Sequence, residues 1–230
     1  MNKYIKDALK ESIIVSKSNV VFFKTGVGEY AENDKFIGVP VPRLRIIAKQ
    51  FCHISHAEIQ DLIESRINEE RLLVLFIVID QYQKADDSVK SDLYQWYLHN
   101  IHQVNNWNLV DASAHLIVGA YLHNKKRDML LVLAQSEVMW ERRIAIVATW
   151  YFIRKNDFEW TMKIAHMLLN DSHDLIHKAV GWMLREVGKR NQNVLVQFLE
   201  RHACQMPRTM LRYAIEKFSE DQRKSYLAKK

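Results

Sequence analysis

ERLLVLFIVID (70–80), NWNLVDASAHL (106–116), RRIAIVATWYF (142–152) and HKAVGWMLREV (177–187) share one apolar pattern when set one beneath another. In this register Arg71, Trp107, Arg143 and Lys178 are equivalent, separated by 36, 36 and 35 residues. That spacing lies within the roughly 34–47-residue period of two-helix solenoid repeats. One helical turn on, Leu75, Asp111, Val147 and Trp182 are equivalent. Positions i and i+4 share a helix face, so the two columns are expected to run as parallel stripes along one surface. Packing positions would carry Leu and Ala, and solvated ones Glu and Lys. Arg, Trp, Arg and Lys beside Asp and Trp fit neither habit, which makes this face a candidate binding surface.

The rest of the chain agrees with helices. Of 230 residues only six are Gly and three Pro, too few turn residues for a β fold, which needs a turn every 8–12 residues or so. Pro40, Pro42 and Pro207 all lie outside residues 57–205, so that stretch can be built as helix after helix. An apolar share of 48% with 26% charged residues supplies a core and excludes disorder. The expectation is an all-α protein forming a single domain over residues 1–230.

MNKYIKDALKES (1–12) reads as an amphipathic helix without the apolar centre of a secretory signal, and no run reaches the ~18 apolar residues of a membrane span. A cytoplasmic protein with no membrane partner is expected. FFKTGVGEYAENDKFIGVPVPRLRIIAKQ (22–50) is the one long irregular stretch, leading into a helix after Pro42 that aligns Leu44, Ile47 and Ala48. Its GVGEY lacks the Lys-Ser/Thr of a phosphate loop and follows no apolar strand; it reads as a packed connector. Cys52 and Cys204 make no redox or metal spacing and read as buried thiols.

The net charge of +6 is unevenly spread. Residues 1–139 carry 16 Lys and Arg against 17 Asp and Glu, and residues 140–230 carry 17 against 10. A polyanion suits the second half. Within it Trp182 has Lys178, Arg185 and Lys189 at helical spacing, a mixed basic and aromatic face suited to sugar and phosphate; the alternative is a core tryptophan. Trp96, Trp140, Trp150 and Trp160 have no such setting and read as packing. Arg142 and Arg143 point about 100° apart on a helix, and the repeat register puts Arg143 on the stripe, leaving Arg142 for a carboxylate or solvent. Arg208 and Arg212 form another i, i+4 basic face, or simply a solvated surface. His173 and His177 have the spacing of helical metal ligands but no third ligand, so no metal is expected.

Asp111 lies one turn after Trp107. A carboxylate on a surface that follows phosphates is unfavourable unless it has a task. One such task is stabilising an oxocarbenium-like sugar during glycosidic hydrolysis or positioning the attacking water. An ion pair with a neighbouring arginine such as Arg143 is the alternative.

NNWNLVD (105–111), SEVMWERRIAIV (136–147) and LIHKAVGWMLREVGKR (175–190) match a known family in order, with FFKTGVGEY and FIGVPVPRLR ahead of them and MPRTMLRYAIEKF (206–218) behind. Together they resemble the AlkD-like DNA alkylation-repair glycosylases. The resemblance implies a C-shaped solenoid of HEAT-like repeats whose concave basic groove cradles duplex DNA. It implies excision of positively charged N3- and N7-alkylated purines without base flipping. No cofactor or metal is expected, and a monomer is expected. By the same resemblance Trp107 and Trp182 pack against the lesion's deoxyribose, Asp111 stabilises the sugar cation and positions water, and Arg143 contacts a phosphate. The remaining basic candidates for DNA are Arg71, Lys178, Arg185, Lys189, Arg208 and Arg212. The GVGEY segment looks like that of a branch whose members include binders of branched DNA, so a non-catalytic DNA-binding repeat protein is the alternative. A protein-interaction solenoid is the third reading.

Overall fold

The computed structural model describes residues 2–13 and 23–228. Met1 of the N-terminal helix and Phe22 of FFKTGVGEY lie outside them. Among the described residues every regular element is helical, and the only pairing of extended backbone is an isolated bridge between Lys35 and Ile67. No helix among them is long and apolar enough to cross a membrane. The chain forms two compact units, residues 1–113 and 114–230.

The first unit runs α1 (Asn2–Glu11), α2 (Val41–Gln50), α3 (His56–Ile63), α4 (Asn68–Lys84), α5 (Asp87–His99) and α6 (Trp107–Ser113). Local chemistry starts several of these helices. Pro42 sits in the first turn of α2, whose Leu44, Ile47 and Ala48 are buried as the periodicity requires. Ser55 and Glu58 close a capping box at α3, and Asp86 caps α5 by accepting from Val89 N. At the centre lies α4, touched by α2, α3, α5 and α6 and buried at every position from Asn68 to Ile79. A helix enclosed on all sides has no wet stripe. The second column therefore divides: Leu75 and Val147 are core residues, while Asp111 and Trp182 are half-buried.

The irregular stretch also divides. Lys24–Glu29 is an exposed turn in which Gly28 takes a positive φ of 77° and its N–H donates to Glu32. The packing begins after it, with Ala31 and Val39 buried. GVGEY is thus a surface turn rather than a packed connector.

The second unit opens with a π-helical turn at His115–Gly119, followed by α7 (Ala120–Leu122), α8 (Asp128–Ala134), α9 (Met139–Ala148), α10 (Trp150–Arg154), α11 (Glu159–Met167), α12 (Asp174–Arg190), α13 (Gln192–His202), α14 (Arg208–Ala214) and α15 (Glu220–Ala228). Its hub is α12, which touches α9, α10, α11, α13 and α14. Gly181 lets α14 approach: a Cβ there would lie 2.5 Å from both Met210 O and Tyr213 Cβ. Ala is the better helix former by about 1 kcal/mol, yet Gly181→Ala is expected to destabilise the protein by about 1–3 kcal/mol through overpacking. Thermal unfolding checks the sign, and an unchanged or raised Tm would contradict the close approach.

Neither cysteine is buried. Cys52 is half-exposed and Cys204 exposed, because each falls in the turn that ends a helix and not on a helix's inner face.

Candidate functional site

In the first unit the residues of NNWNLVD are fixed from below by a buried polar cluster. Asp34, contributed by the irregular stretch, accepts from Arg71 Nη2 (2.5 Å), Asn106 Nδ2 (2.8 Å) and Asn68 Nδ2 (3.0 Å). Arg71 also donates to Ser65 O (2.8 Å) and Asn105 Oδ1 (3.2 Å). The cation and its carboxylate are 3% and 6% exposed. Arg71, read from its column as a DNA contact, thus holds protein rather than phosphate: a charge buried this deeply needs a partner, and Asp34 supplies it. The cluster sets the start of α6 and so aims Trp107 and Asp111.

Asp111 is half-buried one helical turn after Trp107. Its charge reaches inward: the phenol of Tyr97, fully buried and 3.0 Å from Ser113 Oγ, has its pKa pushed up by burial and further by Asp111. Ser113 Oγ donates to Leu109 O (2.6 Å), so the Tyr97 hydroxyl donates to Ser113.

Trp107 stacks on Phe23 (ring centroids 5.1 Å apart, planes 14° apart), and Phe23 stacks on Phe36 (4.3 Å, 28°). Beside the three rings opens a cavity of about 320 Å³. A second cleft, of about 400 Å³, gathers Lys6, Lys10, Lys35 and Arg66 around the buried Glu70. Neither was legible in the sequence. The cations are scattered over three segments of a half with no net positive charge, and the aromatic rings come from separate segments.

In the second unit Arg143 is 5% exposed, and its Nη1 donates to Leu175 O (2.5 Å), tying α9 to the first turn of α12. The groove position expected for it is an interior one, because α9 is enclosed by neighbouring helices much as α4 is. Arg142 finds a carboxylate as its orientation requires, pairing with Asp171 at 2.6 Å. The two spaced histidines are occupied by local structure. His173 Nδ1 accepts from Leu175 N (3.1 Å) as the α12 cap, and burial pushes its pKa down. His177 Nε2 lies 2.5 Å from Asp171 O.

Trp182 is half-buried and meets Trp150 edge to face at 4.9 Å; the Arg154 guanidinium lies 4.6 Å over the Trp150 ring. Trp150, read as packing alone, thus belongs to the same aromatic and basic cluster. On the Trp182 side of α12, Lys178 pairs with Asp174 at 2.6 Å and holds that carboxyl below its usual range. Lys189 pairs with Glu186 at 2.6 Å, and Arg185 pairs with Glu216 and lies 3.7 Å from Glu186. Lys178 and Lys189 are 39% and 43% exposed, and surface pairs of this kind are worth only about 0–1 kcal/mol, whereas Arg185, at 18%, is more enclosed. Arg208 is exposed and donates to Leu227 O (2.6 Å), while Arg212 is exposed one turn further along α14.

No curated protein matches the chain. Among solved structures, a predicted DNA alkylation repair enzyme from Enterococcus faecalis is similar at a TM-score of 0.64 and 16% sequence identity, over 82% of this chain and 91% of that one. At that identity the likeness shows the fold. The family of DNA alkylation repair enzymes matches residues 14–218, nearly the whole length. The chain belongs to that family, and DNA is its partner.

Proposed function

We propose that this protein is a DNA glycosylase that hydrolyses the N-glycosidic bond of positively charged N3- and N7-alkylated purines in duplex DNA. The observation that carries this reading is Asp111, a half-buried carboxylate one turn from Trp107 on a helix whose start is clamped by the Asp34 cluster. Alkylation at N3 or N7 makes the purine cationic, so the base leaves without a general acid. The C1′–N9 bond breaks, its electron pair neutralises the purine ring, and an oxocarbenium-like sugar remains. Asp111 stabilises that charge and positions the water that attacks C1′, the water losing its proton in forming the hydroxyl. Such electrostatic stabilisation is commonly worth several kcal/mol. Trp107 offers an indole face to the sugar cation. The chemistry acts on the sugar and does not require the base to be extruded.

On the second unit, Trp182 with Lys178, Arg185 and Lys189 provides sugar and phosphate contacts, joined by Arg208 and Arg212 on α14. Arg143 anchors the first turn of α12, the helix that carries Lys178 and Trp182. The measurement is release of free base from duplex DNA carrying 7-methylguanine: release above the spontaneous rate is expected, and none would sink the proposal. A second reading, a DNA-binding protein without excision, is favoured by one observation, that Phe23 already stacks on one face of Trp107. Tight binding of branched DNA with no base release selects that reading.

A further inference from the structure

Arg154, the last residue of α10, has no part in the chemistry above, and it differs from the cations of α12. Lys178, Arg185 and Lys189 each face a carboxylate, whereas Arg154 is exposed and makes no ion pair or hydrogen bond through its side chain among the described residues. Asp157, three residues on, is taken by Arg127 at 2.7 Å. What holds Arg154 instead is a ring: its guanidinium lies 4.6 Å over Trp150. Trp150 in turn is set from two sides, by the buried His115, whose ring is 4.5 Å away, and by Trp182, met edge to face at 4.9 Å. A stacked guanidinium uses its face and keeps its in-plane N–H donors. Those donors match the oxygens of a phosphate. A cation on a ring at an exposed position adds little to stability, so the fold alone gives this arrangement no task.

We propose that Arg154 is a phosphate-binding residue of the DNA site, carried by Trp150 to the flank of Trp182. The proposal rests on the reading of the Trp182 face as the side that meets DNA. Two ring contacts separate the guanidinium from Trp182, and phosphates follow one another at about 3.4 Å of rise along each strand. A strand whose sugar packs on Trp182 therefore brings a phosphate within reach of Arg154. Because Trp150 orders the cation before DNA arrives, less side-chain freedom is lost on binding.

The test is the affinity of the full chain for an undamaged duplex over a range of salt concentrations. Arg154→Gln removes the charge from an exposed position and is expected to keep the wild-type Tm. It is expected to weaken binding by about tenfold or more, the scale of a hydrogen bond to a charged group. The slope of log Kd against log salt should also fall by about 0.9, the loss of one phosphate contact. Lys163→Gln is the control: Lys163 lies 4.7 Å over Trp160, a cation on an indole outside this chain of contacts, and its slope is expected to match wild type. Wild-type affinity and slope in Arg154→Gln overturn the proposal, and so does an equal loss in Lys163→Gln, which would make the effect one of net charge. In a Trp150→Leu background the loss caused by Arg154→Gln is expected to shrink; the same loss in both backgrounds overturns the part given to the ring. Base release from a 7-methylguanine duplex, measured alongside, tells the two proposals apart. A shallower slope in Arg154→Gln without any excision by wild type removes the glycosylase reading and leaves Arg154 assigned, and excision with an unchanged slope does the reverse.

Discussion

Asp111→Asn is expected to slow release of 7-methylguanine from duplex DNA by about 10²–10³-fold, the scale on which a single charge-stabilising group in an active site acts. The substitution keeps the shape of the side chain and removes its charge. Because the partner is a polyanion, affinity for the same duplex should be unchanged or tighter, so the loss will appear in the single-turnover rate and not in Kd. The size of the effect follows from the setting. Asp111 is half-buried, and its charge is felt by the enclosed phenol of Tyr97, so it acts through a medium that screens less than water does. Equal excision by wild type and Asp111→Asn would remove this carboxylate from the mechanism.

The second large effect concerns stability. Asp34→Asn or Arg71→Met leaves a buried charge without its partner, which typically costs about 3–5 kcal/mol. For a chain of this length that corresponds to a fall in Tm of roughly 6–20 °C. The two groups satisfy each other at 2.5 Å, and Asp34 also holds Asn68 and Asn106. The double variant is therefore expected to lose less than the sum of the single losses. Additive losses, measured by denaturant unfolding of the four proteins, would show that the pair is not coupled. Because Asn106 precedes Trp107, base release should fall in each single variant even at temperatures where it stays folded.

Much of this was readable from local chemistry. The 36-residue recurrence and the scarcity of Gly and Pro announce helix pairs, and helices arise over all four aligned segments. The inner face of α2 and the divergence of Arg142 from Arg143 follow from 3.6-residue periodicity, and the structure has Leu44, Ile47 and Ala48 buried and Arg142 on Asp171. What the repeat alignment could not show was which equivalent positions face water. It treats Leu75 and Asp111, or Arg71 and Trp107, as the same place, whereas burial depends on how many helices surround each one.

The helical class and the proximity of Trp107 to Asp111 on one helix can be read along the chain because they depend on neighbours within a few residues, and the repeat can be read from its 36-residue recurrence. Helix packing, in contrast, put Arg71 and Arg143 in the interior, set Trp150 against Trp182, and brought Phe23, Phe36 and Trp107 together beside a cavity. The Asp34–Arg71 pair spans 37 residues and the Arg143–Leu175 bond 32. Partners so far apart are chosen by how helices pack around one another, and no periodicity along the chain records that choice.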